Sequence, residues 1–515
     1  MIMHSPSDTS PSLSEVADDM AGMLHERRQP SGGSGQGVTR TVSTVGATLK
    51  VTVGPAVVSN DVMVVPLAVH LDKAGSGGLS SDGKKFDVHL AWDRNDRFSG
   101  ADGVRLVDLD AGTVQETFKA SSQSTSLTDK EPDATLHALF KPVDASTINV
   151  LVPESGLFEG VPVVRDGKLS EETKKALENT YDTESSPDPV ALETFTASVD
   201  GASDTRVTGK SVTITLASDV LFDSDSADLS AQADTTLKKA ADQLSTYPGG
   251  QVTIVVHTDD IADDAHNQDL SQRRAQAVSD RLGQLASMSA YSVSVSGKGE
   301  SEPRVPNDSD ENRQLNRRVE ITLVPTQESS TKSPTGTSKD ADKGSGKGGG
   351  DLPKAEGPVA KGSEGVTVKR GGGDDKLTFV LKEVTRRGKY LVGEVKATGG
   401  PGGTKTGPAD WLQPTQLAGS ARGEEGTKLL GAITGLSLLT AQTRYYPVDY
   451  TTAKGAHHPL SEITADNKLG DGDATTLTVV WPDTGQDTVT LDLEPSKRPT
   501  RPNNPFRLTD IPVKR

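Results

Sequence analysis

The densest run of chemically capable side chains lies between residues 257 and 274. His257, Asp259, Asp260, Asp263, Asp264 and His266 crowd one short stretch. Oxygen-rich loops of this kind hold Ca²⁺ or Mg²⁺, but the Asp-x-Asp-x-Asp-Gly spacing with a distal Glu is absent here. The stretch therefore reads as the acidic, solvated N-terminus of a helix, where the helix dipole favours negative charge. No metal or cofactor is expected. On that helix, Asn267, Leu270, Ser271, Arg274, Val278 and Leu285 share one face by the i, i+3, i+4, i+7 rule, while Arg273 points off it. A guanidinium on the apolar side of a helix is costly unless paired. Its partner stays open at this level: an internal carboxylate, Asp259 or Asp223, or a ligand. Arg281 also falls near the stripe, with a stem long enough to snorkel. There is no Gly-x-Ser-x-Gly elbow, no His-Glu-x-x-His and no complete phosphate loop near Ser345-Gly346-Lys347-Gly348. No catalytic residue is expected, and His257, among strand residues, reads as structural.

The elements that must position these residues follow from hydrophobic period. Val212, Ile214 and Leu216 alternate, as do Val252, Ile254 and Val256, then Tyr291, Val293 and Val295, then Val319, Ile321 and Leu323. Between them, helical stripes run from about 227 to 247, through Leu229, Leu237, Ala240, Ala241 and Leu244, and from about 266 to 285. Pro248-Gly249-Gly250 stops the first helix. The order β-α-β-α-β-β predicts a two-layer α/β sandwich over 210–326.

These motifs, in this order, resemble the OmpA-like peptidoglycan-binding domain of OmpA C-terminal domains, Pal lipoproteins and MotB-type stator proteins. Leu221-Phe222-Asp223 with Ser226-Ala227-Asp228-Leu229 fits the family's strand-to-helix motif. His257-Thr258-Asp259 and Asn267-x-x-Leu270-Ser271-x-x-Arg274-Ala275 fit its next two. Gly297-Lys298-Gly299-Glu300 with Pro303 and Asn307, then Arg313 with Asn316-Arg317-Arg318-Val319-Glu320, fit the last. Val256 stands where the family has Gly, adding a side chain near the expected pocket floor, and Asp260 stands where it usually has Asn. The resemblance implies non-covalent binding of a peptidoglycan stem peptide through diaminopimelate. Asp259 would take its ammonium, and Arg274 would fork onto its carboxylate with two parallel hydrogen bonds. Phe222, Asp223, Thr258, Asn267, Leu270 and Arg317 complete the implied site. Of Arg317 and Arg318, one is expected to brace the pocket and the other to be a solvated strand end. Asn316 is expected to hold a turn.

Around this domain the sequence breaks into further blocks. Residues 1–44 are polar and expected to be disordered, 168–209 to be a linker with a short helix capped by Ser170, and 327–373 a Gly/Lys/Ser-rich tether. Blocks 45–167 and 374–515 match each other. Each has an alternating strand (Leu136, Ala138, Phe140; Leu477, Val479, Trp481), a Pro, a second strand (Ile148, Val150, Val152; Val489, Leu491, Leu493), then a Phe and a Pro-Val pair. They read as duplicated all-β immunoglobulin-like sandwiches, so the fold class is multidomain, a central α/β two-layer sandwich flanked by two such domains.

Composition agrees with modest domains: hydrophobic residues are 33% and aromatics 4%, too few for one large core. The absence of Cys removes disulfides and thiol catalysis within these residues, and no lipid anchor is expected. A net charge of −17 argues against nucleic acid or anionic lipid as a partner. The basic tail Lys497, Arg498, Arg501, Lys514 and Arg515 reads as a solvated face. No transmembrane segment or signal peptide is read, so location at the cell wall, on the extracellular side of the envelope, implies a different start or a non-standard export route. The expected partners are peptidoglycan and, through the β-sandwiches, other proteins. The competing reading is a surface adhesive protein acting through those β-sandwiches.

Overall fold

A computed structural model describes residues 36–44, 46–74, 86–88, 101, 103–121, 125–165, 168–178, 180–182, 188–326, 351–370, 375–412, 433–452, 455, 457–460, 468–495 and 504–515. The expected disorder over 1–35 and most of the 327–373 tether lie outside them.

In the central block, strands Ser203–Val207, Val212–Ala217, Arg318–Pro325, Gly250–His257 and Tyr291–Gly299 pair in that spatial order, antiparallel except for the last pair. The alternating residues Val212, Ile214, Leu216, Val252, Ile254, Val256, Val319, Ile321 and Leu323 are all at most 2% exposed. They form one core with Leu237, Ala240, Ala241 and Leu244 of helix Ala233–Leu244 and with Ala275, Val278 and Leu282 of helix Asp264–Leu285. Val256 thus fills the core and not the pocket floor, a correction that follows from its inward phase on the strand. The first helix is shorter than its apolar stripe suggests. Leu229 instead bridges Phe222 across a turn, and Ser230 receives the Ala233 amide at 3.2 Å. A helix not anticipated, Asp310–Asn316, is capped by Ser309.

Gly297 fixes how closely the long helix approaches the sheet. A Cβ there would sit 2.2 Å from the Gln272 amide nitrogen. The helix is stitched on by Gln268 Nε2 to Gly297 O at 2.8 Å and by the Gly299 amide to Ser271 Oγ at 2.9 Å.

In the first block, Val38–Thr44, Ala47–Val53, Val62–Lys73 and Asp133–Phe140 pair in succession. Arg105–Asp108, Thr147–Val152 and Gly156–Arg165 pair likewise, and the end of the last strand runs parallel to Ala56–Ser59. In the third block, Val366–Lys369, Lys376–Val380, Tyr390–Gly399 and Ala474–Pro482 repeat the first series, and Leu436–Leu439, Thr488–Leu493 and Phe506–Lys514 the second. Val513 again runs parallel to Val384. The register irregularity between Ile148 and Val150 recurs between Val489 and Leu491. The two blocks share one continuous apolar cluster, with Phe140, Phe158, Phe379, Trp481 and Phe506 at most 1% exposed. Arg40 with Glu394 and Arg387 with Glu159 pair across the contact.

Three boundaries move. The first strand begins at Val38, inside the segment expected to be disordered, the central sheet takes in Ser203–Val207 from the stretch expected as a linker, and the third block takes in strands from Val359 onward. The stretch expected as a linker holds the Ser170-capped helix Glu171–Glu178 and also a nine-residue strand, Val190–Ser198. That strand pairs with Thr113–Glu116 of the first block, Ser203–Val207 of the central block, and both Thr443–Tyr445 and Asp449–Thr451 of the third. Its neighbours lie far away in sequence, so local composition, with Pro187 and Pro189 beside it, suggested a break. No helix among the described residues is long and apolar enough to cross a membrane.

Candidate ligand-binding site

The long helix starts at Asp263, whose carboxylate accepts the His266 amide at 3.0 Å. From that start, Asn267, Leu270, Ser271 and Arg274 all fall on the buried face, as the period requires. Arg273 lies outside it and pairs with Asp269. Arg281 does not snorkel: it forks onto Asp234 with two bonds of 2.6 Å.

Arg274 is 5% exposed. Its guanidinium lies over the Phe222 ring, 5.0 Å from the centroid. Nε donates to the Ser226 carbonyl at 2.7 Å and Nη2 to the Asp223 carbonyl at 3.0 Å. Both carbonyls belong to the turn between Phe222 and Leu229, which passes through a left-handed Asp225 (φ 54°) held by His266. Among the described residues Arg274 has no carboxylate partner at ion-pair distance, so neither Asp259 nor Asp223 neutralises it; Asp223 serves through its backbone, its side chain exposed. Burial pulls the Arg274 pKa below its ordinary value, although still far above neutrality for a guanidinium.

Asp259 follows the Gly250–His257 strand and is 7% exposed. Its Oδ2 accepts from Arg317 Nη1 at 2.6 Å, and Oδ1 accepts the Ile261 amide at 3.4 Å. Arg317 also forks onto Asp219 at 2.8 and 2.7 Å. These bonds to Asp219 lead the causes that raise the Arg317 pKa. Asn267 Nδ2 donates to the carbonyls of Asp259 and Ala262 and to Glu300 at 2.6 Å. Thr258 Oγ1 donates to the Asp259 carbonyl, and its amide bonds Gly299. Phe222, Asp223, Thr258, Asp259, Asn267, Arg274 and Arg317 therefore occupy one linked region; Leu270 is buried on the same helix face.

The expectation for the paired arginines needs correcting. Arg317 reaches Asp259, but Arg318 is not a solvated strand end. It is 6% exposed and bonded to Glu320 at 2.7 Å, because sheet alternation turns it to the opposite side. Asn316, fully buried, bonds the backbone of Arg304 and Val305 and the Asn307 side chain, holding a turn. Asp260, the departure from the family pattern, accepts from Arg313 at 2.8 Å. In the acidic run, Asp259, Asp260, Asp263 and His266 are thus each engaged by another protein group. His257 is 2% exposed, and burial foremost, then Arg318, lowers its pKa to about 4. Sequence reasoning missed Asp219 and quoted Glu300 only as part of a motif, without a role in the site. Neither lies at a distinctive spacing from its partner, and Asp219 meets Arg317 across 98 positions.

The OmpA family model matches residues 221–317. Outer membrane porin F of Pseudomonas aeruginosa is 40% identical over 102 residues, 20% of this chain and 29% of that protein. Outer membrane protein A of Escherichia coli O157:H7 is 39% identical over 118 residues, 21% of this chain and 34% of its own. A probable lipoprotein, YiaD, of Escherichia coli K12 is 35% identical over 125 residues, 24% and 56% respectively. The chain thus spans 29% to 56% of the length of these curated relatives. A solved structure titled as the cell wall anchor of the T6SS from Pseudomonas aeruginosa is 33% identical, covering 24% of this chain and 88% of its own, with a TM-score of 0.22. Buried apolar strands, the long-helix motif and the family match coincide on the same residues, and over 221–317 the chain carries an OmpA-family domain.

Proposed function

We propose that the central domain is a non-catalytic binding module for peptidoglycan, taking the diaminopimelate head of a stem peptide. Arg274 forks onto the ligand carboxylate and Asp259 receives the ammonium, with Phe222, Asp223, Thr258, Asn267, Leu270 and Arg317 shaping the pocket. The carrying observation is the buried Arg274, fixed over Phe222 by two carbonyls and, among the described residues, without a carboxylate at ion-pair distance. A cation so placed is best neutralised by a planar anion, which it grips through charge-assisted hydrogen bonds. A carboxylate offers about four acceptor sites, so Asp259 retains capacity for an ammonium beside its bonds to Arg317 and Ile261. The chain's −17 gives no general attraction to an anionic wall, so binding rests on this local match.

In the same reading the protein sits on the wall side of the cell envelope, as relatives named outer membrane proteins and a lipoprotein suggest. The outer blocks are a duplicated pair of immunoglobulin-like sandwiches that space the module or present surfaces to protein partners. The test is pull-down of the full chain on purified sacculi. Asp259→Ala and Arg274→Ala each remove one side of the charge match, worth about 2–5 kcal/mol, or at least roughly 30-fold in affinity. Retained binding by both folded variants would sink the reading.

A further inference from the structure

A second cluster lies away from this pocket, on the strand that joins the three blocks. Glu193 of Val190–Ser198 faces Asp449 in register on the adjoining strand. Strand His457–Pro459 folds back on Asp449–Thr451 with His457 opposite Thr451, so His457 shares the face of Asp449, one diagonal step away. The side chains of Glu193, Asp449 and His457 are 7%, 3% and 9% exposed. His457 Nε2 lies 3.2 Å from Asp449 Oδ2 and 3.9 Å from Glu193 Oε2. One donor atom from each of the three fits within 4.8 Å of the others. Among the described residues, neither ring nitrogen of His457 makes a hydrogen bond. An imidazole nine-tenths buried beside two carboxylates, with a close contact to Asp449 but no well-directed hydrogen bond to either, is costly as it stands.

We propose that Glu193, Asp449 and His457 form a binding site for a divalent transition-metal ion, with Zn²⁺ the best match. One imidazole nitrogen and two carboxylate oxygens suit a borderline ion that accepts both donor types, and three protein ligands leave an open position. Ca²⁺ and Mg²⁺ prefer oxygen ligands throughout. Arg206 donates to Glu193 Oε2 through Nε at 3.1 Å and Nη2 at 2.6 Å; these bonds hold the carboxylate in place and leave Oε1 as its oxygen without either of them. Glu193, Asp449 and Arg206 together carry one net negative charge, which a dication reverses without crowding the site with like charge. The ion ties Val190–Ser198 to the third block at a point where the backbone ladder between them is only two residue pairs long.

The test is Zn²⁺ titration of the full chain after chelator treatment, by calorimetry at neutral pH, with thermal unfolding in parallel. The expected result is one site per chain with a Kd of about 1 μM or tighter and a higher unfolding midpoint with Zn²⁺. His457→Ala is expected to weaken this site at least about 100-fold. Glu193→Gln keeps the shape of the cluster and is expected to weaken it as well, which covers the case where His457→Ala misfolds. His70→Ala removes an exposed histidine beside Asp72 and Asp133 and is expected to leave the site unchanged. Absence of a saturable site, or equal binding in wild type and the folded cluster variants, overturns the proposal. The second outcome assigns Zn²⁺ to surface carboxylates.

Discussion

Replacing Arg274 by Lys keeps the charge and removes the fork. Two separate nitrogens, Nε and Nη2, hold the Ser226 and Asp223 carbonyls at 2.7 and 3.0 Å. A single ammonium satisfies one of these without strain. The loss is about one charge-assisted hydrogen bond, roughly 1.5–3 kcal/mol, and about 0.5 kcal/mol of the stacking over Phe222. Against a typical domain stability of roughly 5–15 kcal/mol, Arg274→Lys remains folded. Binding suffers separately. The remaining guanidinium donors that would meet a carboxylate disappear, and a Lys ammonium committed to a carbonyl offers at most a point contact. That costs about 1.5–3 kcal/mol, or roughly 10–100-fold in affinity. Thermal unfolding followed by circular dichroism reports the first effect, and calorimetric titration with a soluble diaminopimelate-containing stem peptide reports the second. A folded Arg274→Lys variant of lower stability but unaltered affinity would refute the argument, because it would make Arg274 a prop for the Phe222–Leu229 turn and nothing more.

Two further predictions concern the scaffold. Gly297→Ala puts a Cβ 2.2 Å from the Gln272 amide and 2.6 Å from the Ser271 carbonyl carbon, both backbone. The long helix must shift, with an expected loss of about 2–3 kcal/mol in chemical denaturation and weaker ligand binding; a variant as stable as wild type contradicts the close approach. His257, with a folded pKa of about 4 against an unfolded value of about 6.5, is neutral when folded and takes up a proton on unfolding between those values. Stability from this residue is therefore complete above pH of about 6.5 and falls as pH drops toward 4. His257→Gln is expected to flatten the fall of the unfolding midpoint over that window, with buried His137, also lowered to about 4, supplying a residual slope of the same sign; an unchanged slope rejects the role.

How far the sequence reached depended on the range of each interaction. Val252, Ile254 and Val256 alternate over one strand, and Asn267, Ser271 and Arg274 recur over one helix, so their faces were readable from period alone. Arg317 is different. Its partners Asp219 and Asp259 stand 98 and 58 positions away, and only the completed sheet brings the Ser218–Leu221 turn of helix beside the start of the last strand. The strand Val190–Ser198 was illegible for the same reason. Its Glu193, buried at 5%, looks like a solvent-facing residue until Arg206 and the third block close over it. Leu229 shows the converse, a residue with the right phase for a helix that tertiary pairing with Phe222 draws into a turn.

The joining strand also resolves a difficulty that repeated β-blocks create for themselves. In the first block Thr113–Glu116 forms a hairpin with Arg105–Asp108, and in the third Thr443–Tyr445 forms the equivalent hairpin with Leu436–Leu439. Two like blocks thus present two like edges, and an unpaired edge is a template for association with other chains. Val190–Ser198 lies against both, through Val190 and Val114 at one end and Thr196 and Tyr445 at the other. The same segment also pairs with Ser203–Val207, the first strand of the central sheet. One segment therefore covers both edges and continues into the domain that carries Arg274. The central domain is docked by its sheet, and the residues that looked like a flexible spacer are the ones that couple it to the rest of the protein.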